Sequence, residues 1–135
     1  MKEITLEAKV ESIATVTALA EETLEQVDCP LRTQMQINVA IDELVGNIVH
    51  YAYPGGEGVI KVQCGVDPET RVFTLVLMDR GIAFNPLDTP DPDTSKSVRE
   101  RTIGGLGIFL ARRAMDEITY AREDGWNILC SKKKV

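Results

Sequence analysis

The segment from Ile37 to Tyr51 constrains this chain most. Nearly every residue in it is apolar or small, and the spacing predicts a helix from about Leu31 to Tyr51 that stops near Pro54-Gly55-Gly56. A helix apolar almost all round belongs in an interior. Ile37, Ile41, Leu44 and Ile48 form its core stripe. Yet Glu43 and Asn47 sit inside it, four residues apart, with His50 three further on. At about 3.6 residues per turn these three project within roughly 60° of one another. A carboxylate and an amide on a buried wall need partners, because an unpaired buried polar group costs about 1–3 kcal/mol. A cation or a bound ligand would supply them. Internal hydrogen bonds or an outlook on solvent would also do so, and the helix alone leaves both readings open.

Around that helix the hydrophobic period changes in a regular order. Lys2 to Ala8 alternates, with Ile4, Leu6 and Ala8 on one face, which predicts a strand. Ser12 to Val27 carries apolar residues at helical spacing, with Ser12 as the expected N-cap and Pro30 as the break. Two strands follow, from Val59 to Val66 and from Arg71 to Met78, joined by the turn sequence Asp67-Pro68-Glu69-Thr70. The second is apolar on both faces and reads as central. A further helix is expected from about Leu106 to Met115, straight after Gly104-Gly105. Strands from Glu117 to Arg122 and Trp126 to Lys132 then turn at Glu123-Asp124-Gly125. This order predicts an α+β fold: a two-layer sandwich of one mixed, mostly antiparallel sheet with helices on one face. At 135 residues the whole chain, 1–135, is expected to form one domain. A domain of this length buries roughly two thirds of its unfolded surface and needs no staples.

Charge and cysteine content narrow the function classes. Fifteen basic and twenty-one acidic residues give a net charge of -6, so no uniform basic footprint for nucleic acid is present. The three cysteines, Cys29, Cys64 and Cys130, are far apart, match no zinc template and stand beside one histidine in the whole chain. They read as reduced thiols of a cytoplasmic protein. No signal-peptide core follows Met1-Lys2-Glu3, and no apolar run approaches the roughly 18 residues that span a bilayer.

Three further features bear on chemistry. Asp79-Arg80-Gly81-Ile82-Ala83-Phe84-Asn85-Pro86 stands where the central strand ends. An aspartate there can accept a hydrogen bond from an exocyclic amine, and a glycine lets a flat ring approach the backbone. The same pattern also occurs in plain strand-turn corners. Gly104-Gly105-Leu106-Gly107 opens a helix, where free N–H groups and the helix dipole suit phosphate. It follows no first strand and precedes no Gly-Lys-Ser/Thr, so neither a dinucleotide fingerprint nor a Walker loop is present. A tight turn remains the plainer reading of those glycines. Between the two lies a polar stretch to about Ile103 holding Pro86, Pro90 and Pro92, long enough to be a lid. From Lys96 to Arg113 five basic residues (Lys96, Arg99, Arg101, Arg112 and Arg113) stand against Glu100 alone, a local +4 on an acidic chain. That balance fits a bound polyphosphate.

In this order and spacing the motifs resemble the Bergerat-fold ATPases, and within them the bacterial anti-sigma-factor serine/threonine protein kinases. Glu43 and Asn47 match the N box, Asp79 and Gly81 the first glycine box, and Gly104, Gly105 and Gly107 the second. The segments HYAY and ARRAMDEITY are also similar to that branch, whereas Arg80 stands where an acidic or amide residue is common. The resemblance implies an ATP- and Mg2+-dependent kinase with Glu43 as general base and Asn47 as the magnesium ligand. Asp79 would bind the adenine amine beside Gly81. Gly104, Gly105, Leu106 and Gly107 would cradle the phosphates, and Arg101 would steady the terminal phosphate or dock the protein substrate. The implied partners are an anti-sigma-factor antagonist as substrate and a sigma factor or other regulator, with homodimers common among such kinases. No direct nucleic-acid or membrane contact is expected. The alternatives are a nucleotide-dependent binding module without phosphotransfer and an S-adenosylmethionine-dependent methyltransferase. The latter accounts for neither Glu43–Asn47 nor the basic stretch.

Overall fold

The computed structural model describes residues 1–88 and 103–135, with backbone alone for 103–105. Strand β1 is Lys2–Glu7, helices α1 and α2 are Glu11–Glu25 and Leu31–Asn47, and strands β2 and β3 are Val59–Val66 and Val72–Asp79. Helix α3 is Ile103–Ala114, followed by strands β4 (Glu117–Glu123) and β5 (Trp126–Lys134). The strands form one sheet in the order β1-β2-β3-β5-β4. Every pairing is antiparallel, so the mixed sheet expected above is corrected to a fully antiparallel one. The reason lies in the connections. Tight hairpins join β2 to β3 and β4 to β5, and β5 returns along the other side of β3.

Strand β3 occupies the middle, as its two apolar faces require. Phe73, Leu75 and Leu77 point into the helical layer with Ile60, Val62 and Cys64 of β2. There they meet Leu24 of α1, Ile37, Ile41 and Val45 of α2, and Ala111 of α3 in one continuous core. Val76 and Met78 take the opposite face and are only half-buried. Between β4 and β5, Asp124 (φ 51°) and Gly125 (φ 84°) both have positive φ, the backbone of a two-residue hairpin turn.

Four local expectations are corrected. Helix α1 begins at Glu11, and Ser12 does not cap it: its buried hydroxyl donates to the Glu7 carbonyl at 2.6 Å. With only three residues between β1 and α1, that bond ties the strand end to the helix. Helix α2 is not buried all round either, since Leu31, Met35 and Val39 form an exposed stripe on its outer side. Its α-helical part ends at Asn47 and continues as one π-helical turn, Ile48–Ala52. Helix α3 starts at Ile103, so Gly104 and Gly105 lie within its first turn rather than before it. The proline-bearing stretch expected as a lid lies, from residue 89 to 102, outside the described residues.

Cys29, Cys64 and Cys130 are all unpaired, and burial raises each thiol above its ordinary range. Among the described residues no helix is long and apolar enough to cross a membrane.

Candidate functional site

Two features flank the π-helical turn. The first is a cleft of about 200 Å³ between α2 and α3. Glu43, Asn47 and His50 line it from one side and Gly107 and Ile108 from the other, with Ile13, Asp42, Gly46 and Tyr51 completing the lining. The core stripe of Ile37, Ile41, Leu44 and Ile48 is buried beneath, which turns the opposite side of the helix outward. Glu43 and Asn47 are consequently half-buried on an open cleft rather than sealed in an interior.

Gly107 sets how closely the two helices meet there. A Cβ on it would fall on Oε2 of Glu43, so only a glycine lets the carboxylate lie against the start of α3. Helix starts carry unsatisfied N–H groups and partial positive charge, which favour a carboxylate or a phosphate equally. His50 lines the same cleft but is exposed, and its ring stands edge-on to Tyr51 at 6.3 Å. No hydrogen bond joins it to Glu43 among the described residues. Nor does any group of three His, Cys, Asp or Glu side chains converge as a metal cage among those residues.

The second feature is the corner after β3. Asp79 is 5% exposed. Its Oδ1 accepts from the Gly81 N–H and from Nδ2 of Asn127, both at 2.9 Å. No donor among the described residues reaches Oδ2. Gly81 packs so tightly on Ala52 that a Cβ would overlap the Ala52 carbonyl. That carbonyl in turn accepts the Ile82 N–H at 2.9 Å. Tyr53 adds a second clamp, since its hydroxyl donates to the Val59 carbonyl at 2.6 Å and accepts the Arg80 N–H at 2.7 Å. The π-helical turn thus links both features: Asn47 precedes it, and Ala52 at its end seats Gly81. Such turns widen a helix locally and often serve functional sites.

Structure therefore brings Glu43, Asn47 and Gly107 to one cleft, and Asp79 with Gly81 to an adjoining corner; Asp79 does not line the cleft. Leu106 is half-buried in the first turn of α3, with Gly104 and Gly105 beside it. Arg101, Lys96 and Arg99 lie outside the described residues. Reading the sequence missed Tyr53, Asn127, Tyr120 and Arg122, which hold the corner. Asn127 carried a usable signal: an amide between Trp126 and Ile128 is as anomalous as Asn47 in its helix. Arg80, singled out by its sequence context, stacks on the Trp126 ring at 5.0 Å.

Known proteins resemble this chain over most of its length. A family model described as a histidine kinase-like ATPase domain matches residues 6–133. The serine/threonine-protein kinase BtrW of Bordetella bronchiseptica is 31% identical over 99 residues, 73% of this chain and 68% of that protein. An anti-sigma F factor of Clostridium kluyveri is 26% identical over 125 residues, 93% of this chain and 85% of its own. Among solved structures, the RsbU and RsbW domains of Rv1364c from Mycobacterium tuberculosis superpose with a TM-score of 0.64 at 18% identity. That match covers 99% of this chain but 32% of the longer one, and it speaks for the fold alone.

Proposed function

The chain belongs to the histidine kinase-like ATPase domain family, and from that premise we propose that it is an ATP-dependent serine/threonine protein kinase acting as an anti-sigma factor. Its substrate is a serine or threonine on a small antagonist protein, and its other partner is a sigma factor whose release alters transcription. The reading places it in the cytoplasm as a homodimer. The observation that carries it is the half-buried Glu43–Asn47 pair facing Gly107 and Ile108 of α3 across an open cleft. The names of its relatives, a serine/threonine kinase and an anti-sigma factor, support the same reading.

Each residue then has a task. Asp79 accepts the exocyclic amine of adenine through Oδ2, and Gly81, whose N–H holds Oδ1, makes room for Ala52 rather than for the ring as expected from the sequence. The first turn of α3, with Gly104, Gly105 and Leu106, offers N–H groups to phosphate oxygens, and Gly107 behind it lets Glu43 come close. Arg101 would steady the terminal phosphate or dock the protein substrate. Asn47 would supply the protein oxygen for Mg2+. A lone amide beside a carboxylate suits this ion, which keeps several waters and takes phosphate ligands rather than a protein cage. When bound, the ion neutralises charge on the transferring phosphoryl group. Glu43 takes the proton from the acceptor hydroxyl, whose oxygen bonds to the γ-phosphorus as the bond to the β–γ bridging oxygen breaks. Catalysis here is positioning and charge neutralisation.

The decisive experiment is affinity capture from the native cell extract with and without ATP–Mg2+, followed by intact-mass measurement of what is retained. A gain of one phosphate on a captured protein, dependent on ATP, is expected. Nucleotide-dependent capture without any mass gain would refute phosphotransfer and leave a binding module.

A second expected result concerns Gly107→Ala. The added methyl group meets only the mobile end of Glu43, so folding should survive, and alanine in a helix gains up to about 1 kcal/mol. The carboxylate must nevertheless move off its seat. Phosphotransfer should fall about tenfold or more while Tm holds or rises, because a displacement near 1 Å is costly to chemistry. Unchanged turnover would show that the seat is immaterial.

A further inference from the structure

The corner after β3 is held by a polar hub to which nothing above gives a part in recognition. Asn127 lies on β5 directly opposite Asp79 in the strand register and is 6% exposed. Its Nδ2 donates to Asp79 Oδ1 and to the Ile82 carbonyl, each at 2.9 Å. Its Oδ1 accepts from the Tyr120 hydroxyl and from the Arg122 guanidinium at 3.1 Å. Those four bonds use both donors and both lone pairs of the amide. They also settle its orientation, since Tyr120 and Arg122 both offer hydrogen to Oδ1. Arg122 further donates to the Gly81 carbonyl at 3.0 Å.

The consequence is a corner in which one carboxylate oxygen is left without a donor among the described residues. The Gly81 and Ile82 carbonyls are both engaged from β4 and β5. Oδ1 of Asp79 is engaged twice. Of these four oxygens, Oδ2 of Asp79 is the one without a donor among the described residues. A lone carboxylate oxygen, fixed in direction, favours a base that presents an amine and repels one that presents a carbonyl at the same point. We propose that Asn127, braced by Tyr120 and Arg122, is a positioning residue that sets base specificity by fixing Asp79 as a one-sided acceptor for an adenine amine. Asn127 itself has no hydrogen-bonding capacity left for a ligand. This inference rests on the nucleotide-binding reading above.

The hub acts through rotation. With Asn127 absent, the Asp79 carboxylate keeps only its bond from the Gly81 N–H and can turn about its own axis. Adenine then loses a directed acceptor, and guanine loses the repulsion that excludes it. Phosphate contacts at the far end of the nucleotide do not change. A residue that merely supported the fold would instead weaken every nucleotide alike.

The test is calorimetric binding of ATP, GTP and inorganic tripolyphosphate, each with Mg2+, to the intact chain and to two variants. Asn127→Ala removes the hub, and Tyr120→Phe removes one brace from a part-buried edge-strand position and serves if Asn127→Ala does not fold. Wild type should prefer ATP clearly over GTP. Asn127→Ala should bind ATP about tenfold more weakly, with GTP and tripolyphosphate within about twofold, as expected for loss of one charge-assisted contact. Tyr120→Phe should narrow the ATP:GTP ratio about threefold in the same direction. In turnover the loss should fall on the KM for ATP more than on kcat. An equal loss for all three ligands, or an unaltered ATP:GTP ratio in the folded variants, overturns the inference. A wild type that binds no nucleotide overturns the reading beneath it instead.

Discussion

Glu43→Gln should reduce phosphotransfer by about two to four orders of magnitude, the usual range for removing a general base. ATP affinity should stay within a few-fold of wild type. The two effects separate because the substitution is isosteric: glutamine keeps the length, the stem packing and an acceptor oxygen facing the cleft, and loses only the capacity to take a proton. Asn47, one turn on, keeps its own oxygen, so metal-dependent nucleotide binding has no reason to fail. Single-turnover transfer to the captured antagonist, beside calorimetric binding of ATP–Mg2+, reads both quantities. Undiminished transfer would remove Glu43 from its assigned role. Loss of ATP binding with no change in transfer at saturation would make it a ligand contact instead.

Gly81→Ala should be the most damaging change at the adenine corner. The new methyl group meets the backbone carbonyl of Ala52, not the end of a flexible side chain. That carbonyl cannot retreat freely, because it accepts the Ile82 N–H at 2.9 Å and terminates the π-helical turn that begins just after Asn47. Overpacking of this kind destabilises by about 1–3 kcal/mol. For a chain of this length that is a fall in Tm of roughly 4–12 °C. The Gly81 N–H also donates to Asp79, so relief of the clash comes at the expense of the recognising carboxylate. ATP affinity should drop at least tenfold even at temperatures where the variant is fully folded. Gly107→Ala makes a useful contrast, since there the colliding atom can swing aside. A melting curve and a binding isotherm at low temperature separate the two parts of the effect. A variant with wild-type Tm and affinity would show that the β3 corner is looser than its packing indicates.

The elements were largely legible because periodicity is local. Alternation over Lys2 to Ala8 and over the strands from Val59 onward reports burial of one sheet face, and β2 is found at the expected residues, Val59–Val66. The co-facing of Glu43 and Asn47 follows from helix geometry alone, and both do line one cleft. Strand β5 was less transparent. Its more apolar alternate set, Trp126, Ile128 and Cys130, lies on the outer face, whereas Asn127, Leu129 and Ser131 point inward. Pairing of Asp79 with Asn127 sets that register, and a pairing between residues 48 positions apart has no local trace.

What the order of residues determined by itself, then, is a set of helices and strands with known buried faces, plus the placing of an acid and an amide on one helical side. These are consequences of backbone repeat and of hydrophobic transfer, both written within a few turns. What the tertiary structure alone decided is contact across elements: Ala52 against Gly81, Glu43 against Gly107, and Asn127 on Asp79. Each depends on where two distant segments come to rest within a fraction of an ångström. Steric overlap and hydrogen bonding vary steeply over that distance, and only the packed core sets it.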